Sequence, residues 1–397
     1  MKVWSRCRHC DAPDLAEAFS LGDEFALSSF PHYGETVVKA PLTLCMCHLC
    51  GLVQLRHSVD RDLLYRDYFY RSGTNESMVR HLREVAEFAQ HFVSPLGPRD
   101  AILDIGCNDG TLLNQFPTAC FQLGIDPSVE FGVFGDGRTI VRDYYPLADR
   151  GRFYPPADAF KIITSIAMFY DLDDQRGFIQ EIYRDLADDG VWVVEFQDLD
   201  SMLRTTGFDA ICHEHVTYNS LETFEGMVWV AGMHVETFRH TSVNGGSLLL
   251  AVKKGKDSPF APQSAANEPR GWSNLRRFGD RTHLAVEALN AEIDRRPPRS
   301  VMGYGASTKG NTLLQFAGIG PDRVPLVGDR NPEKWGRLTA TGIPIVSEDE
   351  VREKASALLA LPWHFRDSFI ARERRFLDRG GEIIFPLPLL EVVRRTV

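Results

Sequence analysis

The 397-residue chain has no apolar run near the ~18 residues that a membrane-spanning helix needs. Its opening, MKVWSRCRHC, lacks the apolar stretch of a secretion signal. A cytoplasmic location without a membrane partner is the expectation. Positive charge is not in excess either: 44 Lys and Arg against 54 Asp and Glu leave a formal charge of −10. That argues against a broad nucleic-acid surface, which would be basic, but leaves room for a small anionic substrate held by a few local cations. No GxGxxG loop, Walker loop or HExxH helix is present. With 44% hydrophobic and 25% charged residues the chain is an ordinary globular one, long enough for two or three domains.

Cysteine is sparse, eight in all, but five fall in the first 50 residues: Cys7 and Cys10 of CRHC, then Cys45, Cys47 and Cys50 of LCMCHLC. In a reducing compartment such clustering points to metal rather than disulfides. Two C-x-x-C pairs, Cys7/Cys10 and Cys47/Cys50, supply four thiolates for a tetrahedral zinc; Cys45 falls outside that spacing. Four sulfurs close the coordination sphere, so the zinc would be structural.

The nine residues CHEHVTYNS, Cys212 to Ser220, concentrate polar chemistry again. His213 and His215 are two apart rather than the four of a zinc helix, so a second metal is not expected there. The middle of the chain says what else the stretch serves. VRHLREVAEFAQHFV has helical spacing, AILDIG reads as a buried parallel strand, the glycines make a turn, and TLLNQF begins a helix. That is the first unit of a doubly wound sheet, whose glycine-rich turn lets backbone approach a ligand. The next strand, FQLGIDPS, ends in Asp126, placed to accept hydrogen bonds from two ribose hydroxyls. The loop itself reads Gly106-Cys107-Asn108-Asp109-Gly110. Asp104 and Asp109 would repel a pyrophosphate and suit the ammonium and sulfonium of S-adenosylmethionine (SAM). Asp104, Gly106, Asn108, Gly110 and Asp126 are the expected cofactor residues. Further strands follow in DAFKIITSIAMFYDLDD and, after a helix and a turn at Gly190, in VWVVEFQD; HVETFRH and GGSLLLAVKK make a closing hairpin.

A polar linker, GKDSPFAPQSAANEPR, ends this unit. A helix with apolar positions Leu275, Phe278, Leu284, Ala288, Leu289 and Ile293 comes next. RSVMGYGASTKGNTLLQF is a second strand-glycine-helix unit carrying Lys309, and RVPLVGDRN a further strand ending at Asp329.

Taken in order, CRHC, CMCHLCGLVQL, YRSGTNESM, LDIGCNDGTLL, MFYDLDD, HEHVTYNS, NGGSLLL, GYGASTKGNTLLQF and DRNPEKWGR resemble the three-domain SAM-dependent sugar C-methyltransferases over nearly the whole chain. The resemblance implies an α/β protein: a small N-terminal zinc-binding domain (1–75), a class I SAM methyltransferase Rossmann-like domain (76–256) and a second Rossmann-like C-terminal domain (257–397), with the active site between the last two. It implies a nucleotide-linked 4-keto-deoxysugar substrate, SAM and a structural zinc. It places His215 as general base with Glu214 beside it, orienting the ring or binding a substrate hydroxyl. Asn244 and Lys309 are the substrate-binding candidates, Lys309 either meeting a diphosphate or covering a helix face. The family often has tyrosine where this chain has Cys212, and some members carry histidine near Phe169. Tyr70, with His213 and Tyr218 after it, is therefore the candidate for holding the enolate oxygen. The competing readings are a nucleotide-sugar oxidoreductase or epimerase using NAD, against which the missing GxGxxG and Asp109 count, and a zinc-containing binding protein without turnover. Nothing in the residues selects an oligomeric state.

Overall fold

The structure, a computed structural model, describes residues 1–26, 30–35, 37–65, 71–128, 132–133, 138–155, 159–255 and 271–395. The sequence-predicted linker beyond Gly255 and the candidate Tyr70 lie outside these residues. Among the described residues no helix is long and apolar enough to cross a membrane.

The central sheet has eight strands. From one edge to the other they are Met233–Thr241, Ser247–Lys254, Leu186–Gln197, Phe160–Ile166, Ala101–Ile105, Phe121–Ile125, Arg138–Val141 and Gly132–Val133. The five from Leu186–Gln197 to Arg138–Val141 are parallel, and the hairpin Met233–Thr241/Ser247–Lys254 closes one edge antiparallel. Ala101–Ile105 is buried along its whole length, as a strand covered on both faces must be. From it the chain passes first to Phe121–Ile125 on one side and later to Phe160–Ile166 on the other. That reversal opens a crevice at the strands' carboxyl ends, where open α/β sheets hold ligands.

The predicted helix after the glycine turn does not form. Only a 3₁₀ turn, Leu113–Gln115, is present, and Phe116 is already extended. Pro117 explains this, because the residue before a proline is driven out of the α region. The helix Glu76–Gln90 does form. Asn75 caps it by accepting from the Ser77 amide, and His81, Leu82, Val85, Ala86 and Ala89 make one buried face.

The C-terminal sheet runs Ile345–Ser347, Val327–Asp329, Val301–Tyr304, Ala357–Ala360, Glu382–Phe385 and Glu391–Val393, parallel except for the last strand. It too reverses direction, on either side of Val301–Tyr304. The preceding helix, Gly271–Asp294, buries Leu275, Phe278, Leu289 and Ile293 as the sequence suggests. Leu284 is 64% exposed, and Ala288 also faces out. At 100° per residue they fall opposite the buried face, whose middle position is taken by Thr282, donating to the Phe278 carbonyl at 2.9 Å.

A four-stranded antiparallel sheet joins the parts. Leu15–Phe25, Lys39–Cys47 and Val53–Leu55 come from the N-terminal region, and the fourth strand, Thr217–Tyr218, from CHEHVTYNS. Its other face packs into the C-terminal domain: Phe19 meets Phe278 edge-on at 5.7 Å, and the Phe25 amide donates to Gln315 at 2.7 Å.

Candidate active site

The crevice beside Ala101–Ile105 holds the expected cofactor residues together. Gly106 turns the chain at φ +73°, its amide donating to the Ile125 carbonyl at 2.8 Å, and a Cβ there would stand 3.0 Å from Met168 Cγ. Asp104 is buried and accepts from Thr164 Oγ1 at 2.7 Å. Burial pushes its carboxyl up to about 7 against that hydrogen bond, with the Asp126 charge adding. Asp126 accepts from the Asn108 amide at 2.9 Å and the Ser128 amide at 2.8 Å, so it braces the glycine loop.

Asp109 is placed differently from the expectation. Its carboxylate accepts from the Gly73 amide at 2.9 Å and Thr111 Oγ1 at 2.6 Å, while Asn108 Oδ1 accepts from the Ser72 amide at 3.0 Å. The turn Ser72–Thr74 is thereby strapped over the glycine loop, and Asp109 is a fastener.

CHEHVTYNS makes a turn leading into Thr217–Tyr218, and its side chains diverge. His213 Nε2 donates to the Ala40 carbonyl at 2.9 Å, tying the turn to the N-terminal sheet. His215 Nδ1 lies 2.9 Å from the Ala210 carbonyl. A carbonyl only accepts, so Nδ1 carries the proton and Nε2 a lone pair. Tyr170 packs against the ring at 4.3 Å between centroids. Burial first, then the nearby Lys309 charge, hold His215 down to about 3, against the Ala210 hydrogen bond. The ring is neutral and fixed in one tautomer.

Glu214 is not what orients that ring. Its backbone carbonyl accepts from Tyr65 Oη at 3.0 Å, and its buried Oε1 has no protein partner. Burial raises its carboxyl to about 7. Asp171, from MFYDLDD, sits within electrostatic reach and is raised well above the carboxylate range by burial and then by the Glu214 charge; its Oδ1 is also unpartnered. Tyr218 is buried with a partnerless hydroxyl beside Cys212 and Glu214.

The C-terminal domain reaches in from the opposite side. Ser307 caps the helix Thr308–Phe316 by accepting from the Gly310 amide at 3.0 Å, and a Cβ on Gly310 would come 2.8 Å from Leu361. Lys309, in that first turn, donates from Nζ to the Asn244 carbonyl at 2.6 Å and lies 3.5 Å from Gln197 Oε1. Asn244 itself is left-handed at φ 54°. Trp363 Nε1 donates to Asp209 at 2.8 Å. The carboxyl ends of the two sheets thus face each other, with His215 and Lys309 between them. Next to this cluster a cavity of about 260 Å³ is lined by His81, Asn244, His364 and Phe365 among others.

Sequence reasoning missed Asp171, Asp209, Trp363 and His364. The signal available for the last two was their position, just past the carboxyl end of Ala357–Ala360.

Cys7, Cys10, Cys47 and Cys50 converge, their sulfurs all within 4.8 Å of one another, with Cys7–Cys50 at 3.6 Å and Cys10–Cys47 at 3.5 Å. A tetrahedron with metal–sulfur bonds of about 2.3 Å needs sulfurs about 3.8 Å apart, so the cluster can coordinate a metal. Cys45 stands outside it, on a fully buried strand position.

Comparison with known proteins agrees with this layout. Residues 7–65 match the family model of a zinc binding domain, 78–237 that of a methyltransferase domain, and 242–388 that of a C-methyltransferase C-terminal domain. The C-methyltransferase NovU of Streptomyces niveus is 28% identical over 415 residues, covering 98% of this chain and 96% of that relative. Among solved structures, the plantazolicin methyltransferase BpumL in complex with SAH has a TM-score of 0.36 at 13% identity, over 47% of this chain and 88% of that one. A SAM-dependent methyltransferase from Clostridium acetobutylicum has a TM-score of 0.34 at 10% identity, over 45% and 92%. With all three domain models in sequence along one chain and a relative matched end to end, the protein has a three-domain SAM-dependent methyltransferase architecture: a zinc-binding domain, a class I methyltransferase domain and a C-methyltransferase C-terminal domain.

Proposed function

We propose that this methyltransferase removes the proton from the carbon next to the ketone of a nucleotide-linked 4-keto-deoxysugar and methylates that carbon, with His215 as the base. The observation that carries the reading is the His215 ring: neutral, held in one tautomer by the Ala210 carbonyl, and set between the carboxyl ends of two sheets. Carbon–carbon bond formation next to a ketone needs a base, a partner for the enolate oxygen and fixed geometry. SAM supplies a methyl group made electrophilic by its sulfonium.

Around it, the Gly106 turn gives close backbone approach, Gly110 and Asn108 shape the loop, Asp126 faces the ribose, and Asp104 faces the cationic groups. His215 Nε2 receives the proton. With Ala210 orienting the ring, Glu214 and its neighbour Asp171 are free to bind sugar hydroxyls, and their unpartnered oxygens suit that work. Lys309 reaches across the cleft from the C-terminal domain to Asn244, in the closing hairpin of the central sheet, and the two lie against the sugar. The four cysteines hold a structural zinc with no open coordination position.

The test is incubation of the protein with SAM and a panel of nucleotide-linked 4-keto-deoxysugars. Mass spectrometry should show the gain of one methyl, and NMR should place it on carbon. Methylation on oxygen, or SAM binding without turnover on any keto-sugar, would overturn the reading.

A further inference from the structure

Removing a proton next to a ketone leaves negative charge on the ketone oxygen; of the residues expected from sequence to hold it, Tyr70 lies outside the described residues, and His213 and Tyr218 are poorly placed. His213 is bonded to the Ala40 carbonyl, and Tyr218 sits deep among Cys212, Glu214 and Arg8. Resting on the C-methylation reading above, we propose that Lys309 is the group that holds the enolate oxygen: a catalytic residue delivered to the methyltransferase domain by the C-terminal domain.

Three observations carry this. The ammonium is anchored by one short hydrogen bond, to the Asn244 carbonyl at 2.6 Å, with Gln197 Oε1 at the limit of a second, 3.5 Å away. An ammonium has three donors, so donor capacity is left for a ligand. Second, Lys309 stands close enough to His215 for its charge to bear on the ring; Asp209, Cys212 and His364 are the other titratable groups that interact with it. Standard bond lengths put a ketone oxygen only about 2.4 Å from the carbon that loses its proton. The helix that carries Lys309 also packs against the turn Phe208–Ala210, whose Ala210 carbonyl holds the His215 ring, so a ketone whose neighbouring carbon faces the base is within reach of the ammonium. Third, the helix start that carries Lys309 is fixed by the Ser307 cap and by the close approach of Gly310 to Leu361, so the charge is preorganised.

The step balances. The carbon–hydrogen bond breaks, its proton goes to His215 Nε2, its electron pair forms the carbon–carbon double bond, and the carbonyl pair moves onto oxygen against Lys309. The oxygen pair then re-forms the carbonyl as the carbon–carbon double-bond pair makes the new bond to the sulfonium methyl; the sulfur–methyl bond breaks with its pair staying on sulfur, which leaves as the neutral thioether S-adenosylhomocysteine, and the proton on His215 is released to solvent.

The experiment compares wild type, Lys309→Met and Lys309→Arg on whichever keto-sugar the wild type methylates. It reads deuterium uptake at the α-carbon without SAM, kcat with SAM, and affinity for dTDP and GDP by calorimetry. Lys309→Met should lower both uptake and kcat by about 10²–10³-fold, with diphosphate affinity changed less than twofold, and Lys309→Arg should keep part of both rates. Loss of diphosphate affinity with proton uptake intact would make Lys309 a phosphate anchor and overturn the proposal. So would no change in any readout, which would leave it a structural tether. Failure of the wild type on every keto-sugar would instead sink the C-methylation reading itself.

Discussion

A base must be unprotonated when substrate arrives, and His215 meets that need at a cost in strength. Burial and the Lys309 charge hold the ring neutral at any pH well above about 3, which weakens its pull on a proton. An oxyanion forming beside Lys309 offsets the same charge that weakened the base, so the penalty falls as the reaction proceeds. Asp104 has the opposite problem. Its carboxyl, raised to about 7 by burial, is largely neutral below that pH, and a cationic ligand binds the ionised form. SAM affinity should therefore rise with pH up to about 7, by at most tenfold per unit, the limit for one proton. Calorimetry between pH 5.5 and 7.5 checks this; a flat wild-type profile contradicts it. Asp104→Asn should flatten the profile and bind SAM more weakly. The linkage sign for folding is reversed. A raised carboxyl costs stability as pH climbs from its unfolded value through about 7, so Asp104→Asn should leave the ligand-free protein at pH 8 at least as stable as wild type. The sequence pointed to His215 and Asp104 through their local motifs. It did not show what surrounds them, because the partner of His215 is a backbone carbonyl and that of Asp104 is Thr164, on another strand.

At the scale of elements, strand runs were legible where burial on both faces demands uninterrupted apolar residues, as in Ala101–Ile105 and Ser247–Lys254. The errors came where a local rule overrode a pattern: Pro117 cut short the helix expected from TLLNQF, and Leu284 fell on the outer side of its helix. The cysteine spacing was legible in full, since C-x-x-C pairs are a local device. What spacing could not show is that Val53–Leu55 pairs with Lys39–Cys47, which ends at a candidate metal ligand, on one side, and with Thr217–Tyr218, just past His215, on the other. The metal cluster is thus mechanically joined to the turn that carries the proposed base. Elemental analysis should find close to one zinc per chain. Cys47→Ser, or removal of the metal by a chelator, should lower Tm and turnover together. A folded, metal-free protein with unchanged Tm and kcat would contradict that coupling.

For the whole molecule, the arrangement that matters is two doubly wound sheets with their carboxyl ends opposed, stitched by Lys309 to Asn244 and by Trp363 to Asp209. The Trp363–Asp209 pair is buried, and burial raises the Asp209 carboxyl even with Lys309 opposing. Trp363→Phe takes away that carboxylate's indole donor and leaves it the backbone amides of Asp209 and Ala210. It should cost about 1–3 kcal/mol in urea unfolding and lower kcat with SAM affinity unchanged; unchanged stability and kcat would show the seam to be held elsewhere. Such long-range pairs leave no periodic trace in a sequence, which is why the cleft was implied only by family resemblance until the fold brought residues 209, 244, 309 and 363 together.

The central claim, that His215 takes the proton from the carbon to be methylated, is tested most directly by deuterium uptake at that carbon in heavy water without SAM, followed by NMR for wild type, His215→Asn and Glu214→Gln. The account predicts uptake in the wild type, a loss of about 10²–10⁴-fold in His215→Asn with SAM affinity retained, and a smaller loss in Glu214→Gln. Uptake by His215→Asn at the wild-type rate would contradict it, and if Glu214→Gln alone lost uptake, the base would be Glu214.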